Sequence, residues 1–269
     1  MEFFIVSIII LLLCGLVAGF LAGLFGIGGG VVMVPVMFFL LSDLGYGDNA
    51  MAIAVATSAA VILPTAIAGA IKNYSGRSFT WWPALLLGMG GILGSMAGST
   101  LSVLIPSQIH ILAFSGFLIF MAVWMIVKQC RYLSAYTIKE TDGILLILGI
   151  GVGVASGLFG IGGGVILTPV LTSILGMNIH KSIGISLTAM VLIASGTVAS
   201  YIVLGFGAEG LFPFSIGYVN ILFVLILALT SIPAVRLGVK TGRTMPEKKL
   251  QTLFIGMLIL LAIRMALSV

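Results

Sequence analysis

The stretch Gly23-Leu24-Phe25-Gly26-Ile27-Gly28-Gly29-Gly30 returns as Gly157-Leu158-Phe159-Gly160-Ile161-Gly162-Gly163-Gly164. Each copy is followed five residues on by a proline, Pro35 and Pro169. A run of glycines lets the backbone leave helical geometry without steric cost, so one helix-breaking unit stands in each half of an apolar chain. Matched Gly/Pro interruptions in two halves are the sequence mark of a duplicated membrane transporter whose substrate site lies where the repeats meet.

Composition puts the repeat in a membrane. Of 269 residues, 61% are hydrophobic and 7% charged, with mean hydropathy +1.32, whereas soluble domains carry about 25% charged residues. A soluble fold of this size cannot hide so much apolar surface. The chain reads as an all-α polytopic membrane protein. Its apolar segments lie near 3–25, 30–41, 50–71, 81–105, 108–128, 143–160, 164–175, 182–204, 216–235 and 250–267. The second and seventh begin at the Gly-rich breaks and hold about a dozen residues, roughly 18 Å of helix against a hydrocarbon core of about 30 Å. Met1-Glu2-Phe3-Phe4 has no basic region and no cleavage motif follows, so the chain is expected to begin with a membrane helix rather than a signal peptide. The formal charge of +5 resides in short loops and does not point to nucleic acid. Cys14 and Cys130 supply neither a disulfide framework nor metal spacing, and no cofactor is expected.

The similarity continues past the glycines. Residues 28–37 match 162–171 at an offset of 134, and 56–61 (ATSAAV) match 186–191 (SLTAMV) at an offset of 130. Each half is therefore a Gly-broken hairpin, long helix then short helix, followed by three spans. The division is 1–128 for the first repeat, 129–142 for a cytoplasmic linker and 143–269 for the second repeat. The hairpin returns the chain to its starting side and three crossings follow, so the second half should be inverted, an inverted 5+5 repeat. Charges agree. With Arg236, Lys240, Arg243, Lys248 and Lys249 on the cytoplasmic side, alternation puts Lys72, Arg77, Lys128, Arg131, Lys139 and Lys181 there too, while Asp43, Asp48 and Glu209 fall outside with both termini. Arg264 alone is left over.

The breaks lack the Gly-Lys-Ser/Thr ending of a P-loop, and Val31 stands where a dinucleotide fingerprint needs its third glycine. Their physical use is different. Free N–H groups at the start of the short helix, with the positive end of its dipole, make an anion site without a charged side chain. Gly26, Gly28, Gly29 and Gly30, with Gly160, Gly162, Gly163 and Gly164, are the backbone candidates. Thr57, Ser58, Ser186 and Thr188 are candidate hydroxyl donors, unless they bond their own helix. Thr168 has only Val34 opposite. Asn49 and Asn178 read as helix N-caps, His180 as a solvated loop residue, and Asn220 as a polar residue within an apolar span. Gly88, Gly90, Gly91, Gly94 and Gly98 read as helix-packing glycines. No Asp, Glu, Lys or Arg lies mid-span, and no HExxH, GxSxG or Cys/His cluster suggests an enzyme.

With its duplicated GLFGIGGG-x₄-P, Ala56-Thr57-Ser58 and Gly184-Ile185-Ser186-Leu187, the chain resembles the TauE/SafE sulfite-exporter family (TSUP permeases) over essentially its whole length. The resemblance implies a secondary transporter of the bacterial inner membrane that moves sulfite, sulfonates or related organosulfur anions. A sulfonate or sulfite head offers three oxygens to N–H and hydroxyl donors. The rivals are an anion channel, a carrier for another small anion such as a carboxylate, and a membrane-embedded enzyme or assembly subunit. Expected partners are the substrate anion and the lipid bilayer, with no nucleic acid. Whether two copies form a homodimer is left open, as are the coupling ion and the direction of transport.

Overall fold

The computed structural model describes residues 2–74, 81–130 and 141–266. The first half comprises α1 (Glu2–Phe25), α2 (Gly30–Asp43), α3 (Gly47–Tyr74), α4 (Trp81–Leu104) and α5 (Ser107–Cys130). The second comprises α6 (Asp142–Phe159), α7 (Gly164–Ser173), α8 (Ile179–Leu204), α9 (Ile221–Gly242) and α10 (Glu247–Ala266). Among the described residues, α1, α3, α4, α5, α6, α8 and α9 contain stretches long and apolar enough to cross a bilayer. The fold is an all-α multi-pass membrane protein. Its only sheet among those residues is the strand pair β1 (Ser215–Ile216) and β2 (Val219–Asn220). The linker residues Arg131 and Lys139, and also Arg77, lie outside the described residues.

The glycines set how the helices pack. α1 lies along α9 and α6 along α4, each pair so close that a side chain on the contact line would strike the partner's backbone. A Cβ on Gly19 would meet Ser231, and one on Gly153 would meet Gly91. Gly90, Gly94 and Gly98 approach the carbonyls of Leu146, Ile150 and Val154, while Gly88 and Gly91 face Leu192 and Ile193. These are the small-residue interfaces that let membrane helices pack without a hydrophobic driving force. Each tight pair joins one helix from each half. Further contacts run between the halves, α3 with α8, α5 with α10, α3 with α9 and α8 with α4, while α2 packs on α3 and α7 on α8 within them.

The two ends of the molecule differ in charge. At one end, Arg243 bonds the carbonyls of Lys72 and Asn73, and His180 shares a small pocket with both Asn73 and Arg243. There too Trp82, at the start of α4, donates to Asp142, at the start of α6 (2.9 Å). At the other end, Asn49 donates to the carbonyl of Glu209 (3.1 Å). Of the basic segments expected on one side, those carrying Lys72, Lys181 and Arg243 thus lie together.

Some local expectations change. Asn49 lies inside α3, where its side chain holds the 209–210 backbone instead of capping a helix. Asn178 does cap α8, accepting from the N–H of His180, which stands in the first turn of that helix rather than in a loop. Asn220 is not within a span but at the start of α9, capping Phe223. Arg264 sets its guanidinium over the ring of Phe39, 4.6 Å from the centroid.

Candidate functional site

The repeated octapeptide ends one helix and starts the next. α1 and α6 close with Gly26 (φ 72°) and Gly160 (φ 67°), whose N–H groups return to the carbonyls of Ala22 and Ser156, both at 2.8 Å. α2 and α7 start from Gly29 and Gly163, each at φ 79°. Left-handed backbone at four such points requires glycine. The preceding phenylalanines are held alike: Phe25 stacks on Phe254 (5.1 Å between centroids) and Phe159 on Phe117 (4.9 Å).

The breaks then meet. A Cβ on Gly30 would collide with the carbonyl oxygen of Gly160, and one on Gly164 with that of Gly26. Gly28 and Gly162 each face both Ile62 and Met190. Every residue from Gly26 to Gly30 and from Gly160 to Gly164 is buried.

Two hydroxyls stitch the contact together. Ser58 on α3 donates to the carbonyl of Gly160 (2.8 Å), and Ser186 on α8 donates to that of Gly26 (2.9 Å). Ser58 and Ser186 therefore occupy equivalent places, 128 residues apart. Val55 and Ile183, the residues against Gly160 and Gly26, keep the same spacing. This corrects the pairing by sequence, which set Ser58 opposite Thr188. The stretch from the start of the short helix to the serine is six residues shorter in the second half rather than four: α7 is four residues shorter than α2, its connection to α8 is two longer, and Ser186 stands four residues nearer the start of its helix than Ser58 does.

Thr57 and Thr188 stand apart from this junction, whereas Thr168 joins it. Thr57 is buried and accepts the backbone N–H of Asn220 (3.1 Å). Thr188 bonds its own helix at Gly184 (3.0 Å) and lines an apolar groove of about 600 Å³ with Ile67, Ile71, Trp81 and Leu192. Thr168 reaches the carbonyl of Phe25 at 3.2 Å.

The backbone donors carry the electrostatics. Among the described residues, the N–H groups of Ile27, Gly28, Gly29, Gly30 and Val31 meet no acceptor, nor do those of Ile161, Gly162, Gly163, Gly164 and Val165. The first N–H that return to the chain are Val32 and Met33, to Gly29, and Ile166 and Leu167, to Gly163. Buried unmade hydrogen bonds are costly, and donors clustered at a helix start favour negative charge. α2 and α7 have no acidic residue in their first turns to supply it. The hydroxyl of Ser156, one turn before Gly160, is also buried without a partner among the described residues.

Two polar residues near the breaks escaped the sequence reading, and a third, Arg243, entered it only as a basic loop residue that fixes orientation. His110 on α5 is 1% exposed and sets Nε2 2.6 Å from the carbonyl of Leu158. Tyr201 on α8 is fully buried and donates to the carbonyl of Gly157 (2.7 Å). Arg243 closes the basic end. Each lies at the edge of an apolar segment, and its partner is remote in sequence, so no local pattern marks it.

Paired helix breaks buried inside a multi-pass bundle define a membrane transporter rather than an enzyme, and the relatives agree. A probable membrane transporter protein of Haemophilus influenzae is 32% identical over 263 residues, covering 97% of this chain and 98% of the relative. A probable membrane transporter protein of Methanocaldococcus jannaschii is 30% identical over 261 residues, covering 96% and 95%. The profile of the sulfite exporter TauE/SafE family matches residues 11–265. The chain belongs to that family. No solved structure matches it.

Proposed function

We propose that this protein is a secondary transporter that carries a small sulfur oxyanion or organosulfonate across the bacterial inner membrane by alternating access. The observation that carries the reading is the set of ten buried N–H groups, five per break, that find no acceptor among the described residues. They belong to two helix starts that face each other, where no charged side chain is needed to hold an anion. In this reading the anion enters between the breaks and takes the free N–H donors of residues 27–31 and 161–165, while Gly26 and Gly160, whose own N–H groups close α1 and α6, give the turns that aim them. Ser58 and Ser186 turn from the carbonyls of Gly160 and Gly26 to the anion's oxygens. Thr57 and Thr188 serve the helices around the site. The basic end faces the cytoplasm, the halves are inverted, and both termini lie outside.

Purified protein in liposomes tests this. Saturable flux of sulfite, competed by ethanesulfonate and taurine, is the expected result. Electrogenic flux that never saturates would make the protein a channel. Competition by simple carboxylates alone would move the substrate out of the sulfur class.

A further inference from the structure

We propose that Arg243, with Asn73 and His180, forms a capture subsite for a small oxyanion at the basic mouth of the first break, a role that rests on the anion reading above. Arg243 is anchored by one nitrogen only. Its Nη2 donates to the carbonyls of Lys72 (3.0 Å) and Asn73 (2.5 Å) and to Oδ1 of Asn73 (3.3 Å). A guanidinium has five N–H donors, and those on Nε and Nη1 meet no acceptor among the described residues. The pocket beside it is lined by Gly23, Leu24, Asn73, His180 and Ile183, with no carboxylate. A fixed cation with an idle donor edge and no counter-ion attracts planar or pyramidal oxyanions. The pocket, of about 10 Å³, adjoins the break through Ile183, which packs directly on Gly26: a Cβ on Gly26 would stand 3.1 Å from the Cα of Ile183.

The mirror position argues that this feature is specific to one end. The helix equivalences put Tyr201 in the place of Asn73, Val55 for Ile183, Ala52 for His180 and Val103 for Arg243. None of these four equivalents is a Lys or Arg, and the Tyr201 hydroxyl fills that side by donating to the carbonyl of Gly157 (2.7 Å). A bare cap on the C-terminus of α3 would explain the bonds of Arg243. It would not explain why the equivalent of Arg243 is the uncharged Val103, nor why the rest of the guanidinium is left without an acceptor among the described residues at a pocket that adjoins the break.

The test is modification of a thiol placed in the pocket of the full-length protein in native membranes. His180→Cys is labelled from the basic side with a methanethiosulfonate reagent carrying an ethylsulfonate tail and with a neutral analogue. The sulfonate reagent is expected to react about tenfold faster than the neutral one, an electrostatic preference, and ethanesulfonate should slow the reaction. Adding Arg243→Gln should bring the two rates together, and Arg243→Lys should keep most of the preference. Equal rates in the Arg243-bearing protein, or rates indifferent to ethanesulfonate, would overturn the subsite. If Arg243→Gln does not reach the membrane, ethanesulfonate protection of His180→Cys decides alone. Protection without any sulfite flux in liposomes would retain the subsite and sink the transport reading instead.

Discussion

The two breaks share eight identical residues, nearly the same backbone angles and the same serine contact, yet they open on different surroundings. The first lies against the pocket of Arg243 and His180, the second beneath Tyr201 and His110. Where the breaks touch each other, a change in one must be met by the other, because Gly30 and Gly164 are each packed on a carbonyl of the partner break. Toward the ends that constraint lapses, and a cation appears on one side where a tyrosine fills the other. The duplication therefore preserves the centre and differentiates the mouths, which is where a carrier can tell one face of the membrane from the other.

The largest test of that equivalence is Gly29→Val against Gly163→Val. Both force a β-branched residue to φ 79°, a strain of about 1–3 kcal/mol, and each should abolish sulfite flux in liposomes while leaving the protein in the membrane. Wild-type flux in either would remove the breaks from the mechanism. Asn220→Ala strips the cap of α9 and the bonds to Pro213 (2.8 Å) and Ser215 (3.1 Å). Thermal unfolding in detergent should report a loss of about 2 kcal/mol, confined to the connection between α8 and α9 in hydrogen exchange. Alanine at the caps should then separate the halves. At Gly29 the new Cβ stands 2.8 Å from the backbone oxygen of Ala18, whereas at Gly163 it stands 2.6 Å from Cγ1 of Val152, which can rotate away. Gly29→Ala should melt earlier than Gly163→Ala, by about 1 kcal/mol, and the reverse order would contradict the packing. The smallest contrast is Ser58→Ala against Ser186→Ala. Each removes one buried bond, about 1 kcal/mol, and equal flux losses are expected. Unequal losses would mean that function has outgrown the geometric equivalence.

The helices and their ends were largely legible in the sequence. Residues 30–41 and 164–175 were expected as short helices and are Gly30–Asp43 and Gly164–Ser173, because glycine runs and apolar length are local signals. What needed a second chain segment was not legible. Asn49 reads as a cap until the 209–210 backbone arrives beside it. Ser58 pairs with Ser186 rather than Thr188 only once the carbonyls of Gly160 and Gly26 are in place. Asn220 looked like a lone amide in an apolar run because the strand turn before it carries little sequence pattern. His110, Tyr201 and Arg243 each find their acceptor 44 to 171 residues away, which no window along the chain spans.

The glycine contacts of α1 with α9 and of α6 with α4 have a further consequence. Each half holds one member of both pairs, so neither half owns a complete tight pair. Under the alternating-access reading proposed above, the moving bodies are expected to carry α1 together with α9, and α6 together with α4. A half made alone would leave its glycine stripes uncovered, because each tight pair draws one helix from residues 2–130 and one from residues 141–266.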